Sequence, residues 1–253
     1  MKLKMKRSLL LCLLLSATVA LRAGTNAVVC QSAERQTALL ELYTSEGCSS
    51  CPPAERWLSE QKDSPGLWKD FVPVAFHIDY WDHLGWRDPW SNPQSTQRQN
   101  AYAQVWRSES VYTPEFVLNG SEWRGGWTKR VLPALADVKV GVLTATLIGT
   151  NRWRVSFAPI KADTTGYEVN AALLESGVSS DVKAGENRGR KLAHDFAMVR
   201  MATASLSMHD GAWRGEFTLP SQGRVSAGRV ALAVWVSRPG QMQPVQATGC
   251  WLP

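Results

Sequence analysis

The sequence predicts an α/β amino-terminal half joined to an all-β sandwich, and three observations lead to that reading. Strand-like and helix-like segments alternate up to about residue 138, and beyond it nearly every segment reads as a short strand between Gly, Asn and Ser turns. The third is Cys48-Ser49-Ser50-Cys51, set where the first of these strands passes into the first helix. The expected divisions are 1–27 for a signal peptide, 28–137 for the α/β domain and 138–253 for the sandwich.

Taken in order, the apolar run from Thr37 to Tyr43 predicts a strand, Pro53 to Gln61 a helix and Val72 to Asp79 a second strand. An aromatic loop follows. Asn92 is a good helix cap and Pro93 suits a first turn, so a helix is expected from there to about Arg107. Glu115 to Asn119 reads as a strand, Glu122 to Arg124 as its hairpin partner and Thr128 to Ala136 as a helix. This βαβαββα order predicts a mostly parallel sheet with an antiparallel edge. The second half offers strands at Lys139 to Ile148, Trp153 to Pro159, Tyr167 to Leu174, Ala197 to Ser207, Gly211 to Leu219, Arg229 to Ser237 and Val245 to Trp251. Ser176 to Leu192, rich in Gly, Arg and Lys, is expected to be a loop.

Met1 to Ala27 has a basic start, a Leu-rich core from Leu9 to Leu15 and small residues at Ala17, Ala20 and Ala27, the pattern of a secretory signal. The core is too short for a stable membrane anchor. Export across the inner membrane, to the periplasm, is the expectation, with cleavage after Ala20 or Ala27. Four of the charges behind the net +6 lie within the first seven residues, so the mature chain carries +2, or +1 if Arg22 also leaves. That balance offers no electrostatic case for nucleic acid. Cys12 leaves with the signal, and Cys30, Cys48, Cys51 and Cys250 remain. An even count in an oxidising compartment suggests two disulfides, and if Cys48 pairs with Cys51 the other is Cys30 with Cys250.

A strand that delivers a C-x-x-C pair to a helix start places two sulfurs close together, while the helix dipole and unpaired N–H groups favour a thiolate at the first. Cys48 is then the nucleophile and Cys51 the resolving thiol of a couple that needs no cofactor. The competing readings are a static disulfide and half of a zinc site.

The element order with C-x-x-C at the first helix resembles the thioredoxin-like superfamily. The string Glu41 to Ala54, the segment His77-Ile78-Asp79-Tyr80-Trp81-Asp82-His83-Leu84-Gly85-Trp86-Arg87-Asp88-Pro89, then Arg98-Gln99, Tyr112-Thr113-Pro114 and Gly185 to Arg190 with His194, more specifically resembles the secreted bacterial family catalogued as domain-of-unknown-function 1223. The resemblance implies an α/β thioredoxin-like amino-terminal domain plus an all-β sandwich. It also implies a cis bond at Pro114, with Thr113 and Pro114 beside the sulfurs to orient an extended partner chain. Glu41, on the strand feeding the motif, would accept the proton of Cys51 if buried; otherwise it is a strand-end carboxylate, solvated or paired with an arginine.

Eight of the twelve tryptophans lie between residues 57 and 127. Trp81, Trp86 and Tyr112 are candidate substrate contacts, either as an aromatic wall for a protein or small thiol substrate or as a seal to the β-domain. His77 reads as a core residue with Asp79 fixing its tautomer, or, in a rival reading, as a third ligand with Cys48 and Cys51 for Cu(I). In a third reading the amino-terminal half is a scaffold, and Asn187, Arg188, Arg190, His194 and Asp195 form either a polar surface site or an interdomain network. No G-x-S-x-G or H-E-x-x-H occurs, so hydrolase chemistry has no support. Thiol–disulfide exchange with a protein or small-molecule substrate and a redox partner protein is the expected activity.

Overall fold

The apolar run Ala38-Leu39-Leu40 continues through Glu41 to Thr44 without one exposed residue, the signature of a strand covered on both faces. It is the second strand of a computed structural model that describes residues 27–124, 128, 132, 137–162, 164–220 and 228–253. In chain order the elements are β1 (Val29–Gln31), β2 (Ala38–Thr44), α1 (Cys51–Glu60), β3 (Phe71–His77), α2 (Pro93–Trp106), β4 (Glu115–Leu118) and β5 (Ser121–Glu122). There follow β6 (Gly141–Leu147), β7 (Arg152–Pro159), β8 (Tyr167–Ser176), β9 (Val178–Asp181), β10 (Lys191–His194), β11 (Ala197–His209), β12 (Ala212–Thr218), β13 (Arg229–Ser237) and β14 (Pro244–Trp251).

Twelve of these strands form one hydrogen-bonded system. β2 pairs in parallel with β3 and antiparallel with β4, which carries β5 at the edge. The other side of β3 is taken by β11, in parallel at Ala75 and Ala197. β11 then runs antiparallel to β8, β8 to β13 and β13 to β14. At its far end β11 pairs with β12 and leads through β7 and β6 to β1.

Residues on both sides of position 138 therefore share one sheet, and β8 and β13 carry the reason in their sequences. They alternate two apolar sets. Ala172, Leu174, Ala231, Ala233 and Trp235 join the core made by β2, β3, β4 and the helices. Val169, Ala171, Leu173, Leu232, Val234 and Val236 join a second core with Leu143, Val155, Phe157 and Phe217 of β6, β7 and β12. The disulfide Cys30–Cys250, with Cα atoms 5.3 Å apart, ties β1 to β14 at this second core.

The expected fold class is thus corrected. The described residues form a mostly β structure, 46% strand against 15% helix, with a twelve-stranded mixed sheet, a small β9–β10 sheet and two α-helices. It is not an α/β thioredoxin-like domain beside an all-β sandwich. The 13-residue β11 is long enough to pair with β3 at one end and β12 at the other, so no free edge separates two sheets. The segment expected as a loop at 176–192 contributes β9 and the start of β10. The helix expected over 128–136 and the signal peptide expected over 1–27 fall largely outside the described residues.

Two helices cover opposite faces of β2. Thr44 reaches Glu55 on α1, whereas Glu41, three positions earlier and on the other face, reaches Arg98 on α2. Pro52 and Pro53 occupy the first turn of α1. α2 starts where the Asn92 side chain accepts the Gln94 N–H at 2.9 Å and ends at Arg107 in a left-handed conformation.

Candidate functional site

The loop leaving β2 carries Cys48, and Cys51 is the first residue of α1, so both sulfurs stand at the helix start where unpaired N–H groups concentrate. Both cysteines are free and buried, Cys48 to 1% exposure. The turn closes through Cys48 N–H to the Ser45 carbonyl at 3.2 Å and Cys51 N–H to the Cys48 carbonyl at 3.3 Å. Only Ser49 and Ser50 of this turn reach solvent.

Three neighbours define the chemistry of Cys48. Its sulfur lies 3.2 Å from the Ser50 hydroxyl, and its thiol can donate to the Thr113 carbonyl at 3.7 Å. A hydrogen bond from Cys51, joined by those from Ser50 and Thr113, outweighs burial and lowers the Cys48 thiol to about 6. Burial, and then the hydrogen bond that Cys51 gives to Cys48, raises Cys51 well above the usual thiol range. The two thiols are therefore unequal, as a nucleophile and its resolving partner require. The Thr113–Pro114 bond is cis. The Trp81 indole donates to the Thr113 hydroxyl at 2.8 Å, which fixes Trp81 against the segment facing Cys48.

A second set of contacts holds the loop from the side of the chain's second half. Asn187 donates from one amide nitrogen to the carbonyls of Glu46 at 2.9 Å and Cys48 at 2.8 Å, and Arg190 orients that amide by donating to its oxygen at 2.6 Å. Glu186 accepts the Ser49 N–H at 2.8 Å. Of the two options for the stretch 187–195, Asn187 and His194 thus belong to a buried internal network, which the exposed Arg190 joins from the surface. Asp195 accepts the Gly177 N–H at 2.8 Å and pairs with Lys62 at 2.7 Å, and Arg188 is exposed.

Behind the dithiol lies a buried cluster of ionisable groups. His77 Nδ1 meets Asp88 at 2.7 Å, His194 Nε2 meets Glu46 at 2.8 Å, and His194 Nδ1 meets Glu55. Glu55 also accepts from the Thr44 hydroxyl at 2.6 Å, and Glu46 from the Trp86 indole at 2.7 Å and from Ser180. Burial opposes charge on both imidazoles, but Glu55 and Glu46 outweigh it and raise His194 to about 10, and Asp88 likewise raises His77. The same partners hold Glu55 and Asp88, against burial, below the usual carboxylate range.

Several sequence expectations change here. Glu41 is not brought to the cysteines: it is fully buried against Arg98 at 2.6 and 3.1 Å and accepts from Tyr102 at 2.5 Å and Tyr43 at 3.0 Å, on the α2 face of the sheet. The reading of a carboxylate paired with an arginine is the correct one. His77 does not join Cys48 and Cys51 in a three-ligand set; among the described residues it clusters with Glu55 and His194, and its tautomer partner is Asp88 rather than Asp79. Trp86 is tied to Glu46 rather than placed at the sulfurs, and Tyr112, 42% exposed, donates to Glu122 at 2.5 Å.

Sequence reasoning missed Glu55, Glu46 and Asp88 as members of this site. The available signal for Glu55 was its spacing: four residues after Cys51 on α1, it shares the same helical face. Glu115, next to Pro114, was also missed; burial raises its carboxyl to about 7 although Gln99 donates to it at 2.6 Å.

Comparison with known proteins adds three findings. The profile of a family described as "Protein of unknown function (DUF1223)" matches residues 39–237. A crystal structure of an Agrobacterium tumefaciens protein, solved as a structural-genomics target, is similar at 23% identity with a TM-score of 0.54, covering 85% of this chain and 93% of that one. The structure of HBP35 of Porphyromonas gingivalis is similar at 13% identity and TM-score 0.60, covering 87% and 76%. These likenesses concern the fold alone. No curated protein matches the sequence.

Proposed function

The chain belongs to the family described as "Protein of unknown function (DUF1223)", and from that premise we propose that it is an exported thiol–disulfide oxidoreductase acting through Cys48 and Cys51. The observation that carries the reading is the inequality of the two buried thiols at the start of α1, Cys48 lowered to about 6 and Cys51 raised.

In the reducing direction the Cys48 thiolate attacks one sulfur of a substrate disulfide. A Cys48–substrate bond forms, the substrate S–S bond breaks, and the second substrate sulfur leaves as a thiolate that takes a proton. Cys51 then loses its proton and attacks the Cys48 sulfur, releasing the first substrate thiolate and leaving a Cys48–Cys51 disulfide. Two electrons have passed to the substrate, and a redox partner restores the dithiol by the reverse steps. Substrates are protein or small-molecule disulfides. They approach from the Ser49–Ser50 turn, the solvent-exposed part of the loop.

The test is mass-spectrometric trapping with glutathione disulfide. Cys51→Ser should accumulate a mixed disulfide at Cys48, wild-type protein should pass through it to the internal disulfide, and Cys48→Ser should form neither. Equal labelling of both single variants would sink the assignment of roles.

A further inference from the structure

Three residues far apart in sequence meet behind the dithiol with their outer atoms already fixed. Glu55 comes from α1, His77 is the last residue of β3 and His194 the last of β10, and one ligating atom from each lies within 4.8 Å of the others. All three are buried. Each has one polar atom held from behind: His77 Nδ1 by Asp88 at 2.7 Å, His194 Nε2 by Glu46 at 2.8 Å, and Glu55 Oε1 by the Thr44 hydroxyl at 2.6 Å. Carboxylates on the far nitrogens of two histidines are the outer-shell arrangement that sets ring orientation and basicity at metal sites.

One of the inner atoms lacks a partner. His77 Nε2 has no hydrogen-bond partner although the residue is 0% exposed, a costly condition for a ring nitrogen. His194 Nδ1 faces Glu55 Oε2, its close neighbour, so a cation bound here would take the place of the ring proton shared between them. We infer that Glu55, His77 and His194 form a binding site for one divalent first-row transition-metal ion, zinc or iron(II).

Two imidazole nitrogens and one carboxylate oxygen suit such an ion and not Cu(I), which prefers thiolates. A surface cavity of about 180 Å³ that includes Arg56, Arg190 and Ala193 in its lining borders Glu55. Its basic rim slows cation entry, so loading calls for long incubation. The inference does not depend on redox activity, since neither cysteine is a ligand.

The experiment loads chelator-treated protein with Co²⁺ as a visible-absorption probe and counts bound ions by elemental analysis. It is run on wild type, the Cys48→Ser/Cys51→Ser double variant, His77→Gln and Asp88→Asn, each checked for folding by circular dichroism. The expected result is one Co²⁺ per chain, displaced by Zn²⁺, with no thiolate-to-cobalt charge-transfer band and full retention in the cysteine double variant. Asp88→Asn, which keeps the ligands, should bind some 10–100-fold more weakly. His77→Gln should lose both the Co²⁺ spectrum and the rise in Tm that excess Zn²⁺ gives wild type. If chelated wild type takes up no stoichiometric Co²⁺ or Zn²⁺, or if binding is lost in the cysteine variant and kept in His77→Gln, the site is not a metal site.

Discussion

At the scale of single residues, the account turns on Cys48. Its thiol is lowered from 9.0 to about 6, so the rate of iodoacetamide labelling of the reduced protein should rise with pH to a midpoint near 6. A midpoint at the ordinary thiol value would contradict the electrostatic reading. The folded pKa lies below the unfolded one, so the thiolate stabilises the reduced fold fully above the unfolded value. That stability is lost as pH falls through about 6. Denaturant titrations of reduced wild type should therefore approach those of Cys48→Ser at acid pH and exceed them at pH 9. A second residue prediction separates Glu41 from the chemistry. Arg98→Met leaves a buried carboxylate without its cation and should cost about 3–5 kcal/mol in a urea melt, with the Cys48 labelling midpoint unchanged. A moved midpoint would return Glu41 to the redox site. The sequence revealed both cysteines, because their spacing and flanks are local, whereas Pro114 was reached only through the family resemblance. It left Glu41 open between proton acceptor and arginine-paired carboxylate, because strand residues alternate faces and which face meets the cysteines rests on parity that only the packed helices reveal.

At the scale of elements, the dithiol loop is held from outside itself. Asn187 supplies two hydrogen bonds to loop carbonyls, so Asn187→Ala should lower stability by about 1–3 kcal/mol and speed labelling of Cys48 as the loop loosens. Unchanged stability and labelling would make the contact incidental. Gly47 offers a matching test from the opposite side. A Cβ there would stand 2.9 Å from Trp81 Cβ and 3.2 Å from its carbonyl, so Gly47→Ala should push Trp81 off Thr113, seen as a change in Trp fluorescence on the same sample. Most strand and helix cores in the described residues were legible, since β2, β3, β8 and β13 are apolar runs and α2 carries its own cap. The β9–β10 pair was not, because Ser176 to Leu192 is polar and its ordering comes from contacts across the molecule, such as Asn187 to Cys48 and Ser180 to Glu46.

At the scale of the whole molecule, one sheet and one disulfide unite the chain's two halves. The change in composition near residue 138 was plain in the sequence, but the pairing of β3 with β11 was not, since a strand's hydrophobic pattern records burial and not its neighbour. Cys30 and Cys250 are 220 residues apart, and opening that loop in Cys30→Ala/Cys250→Ala should cost about 5 kcal/mol in the chain-entropy estimate. A urea melt checks the loss. Glutathione trapping at Cys48 should persist, because the bridge lies at the second core, away from α1. The most direct test of the central claim is a thiol-trapping titration of the metal-free protein across a glutathione redox series, with Cys48→Ala as control. The account predicts one reversible two-electron transition belonging to Cys48 and Cys51 and absent from the control. A pair that stays oxidised or stays reduced across the whole series would contradict it.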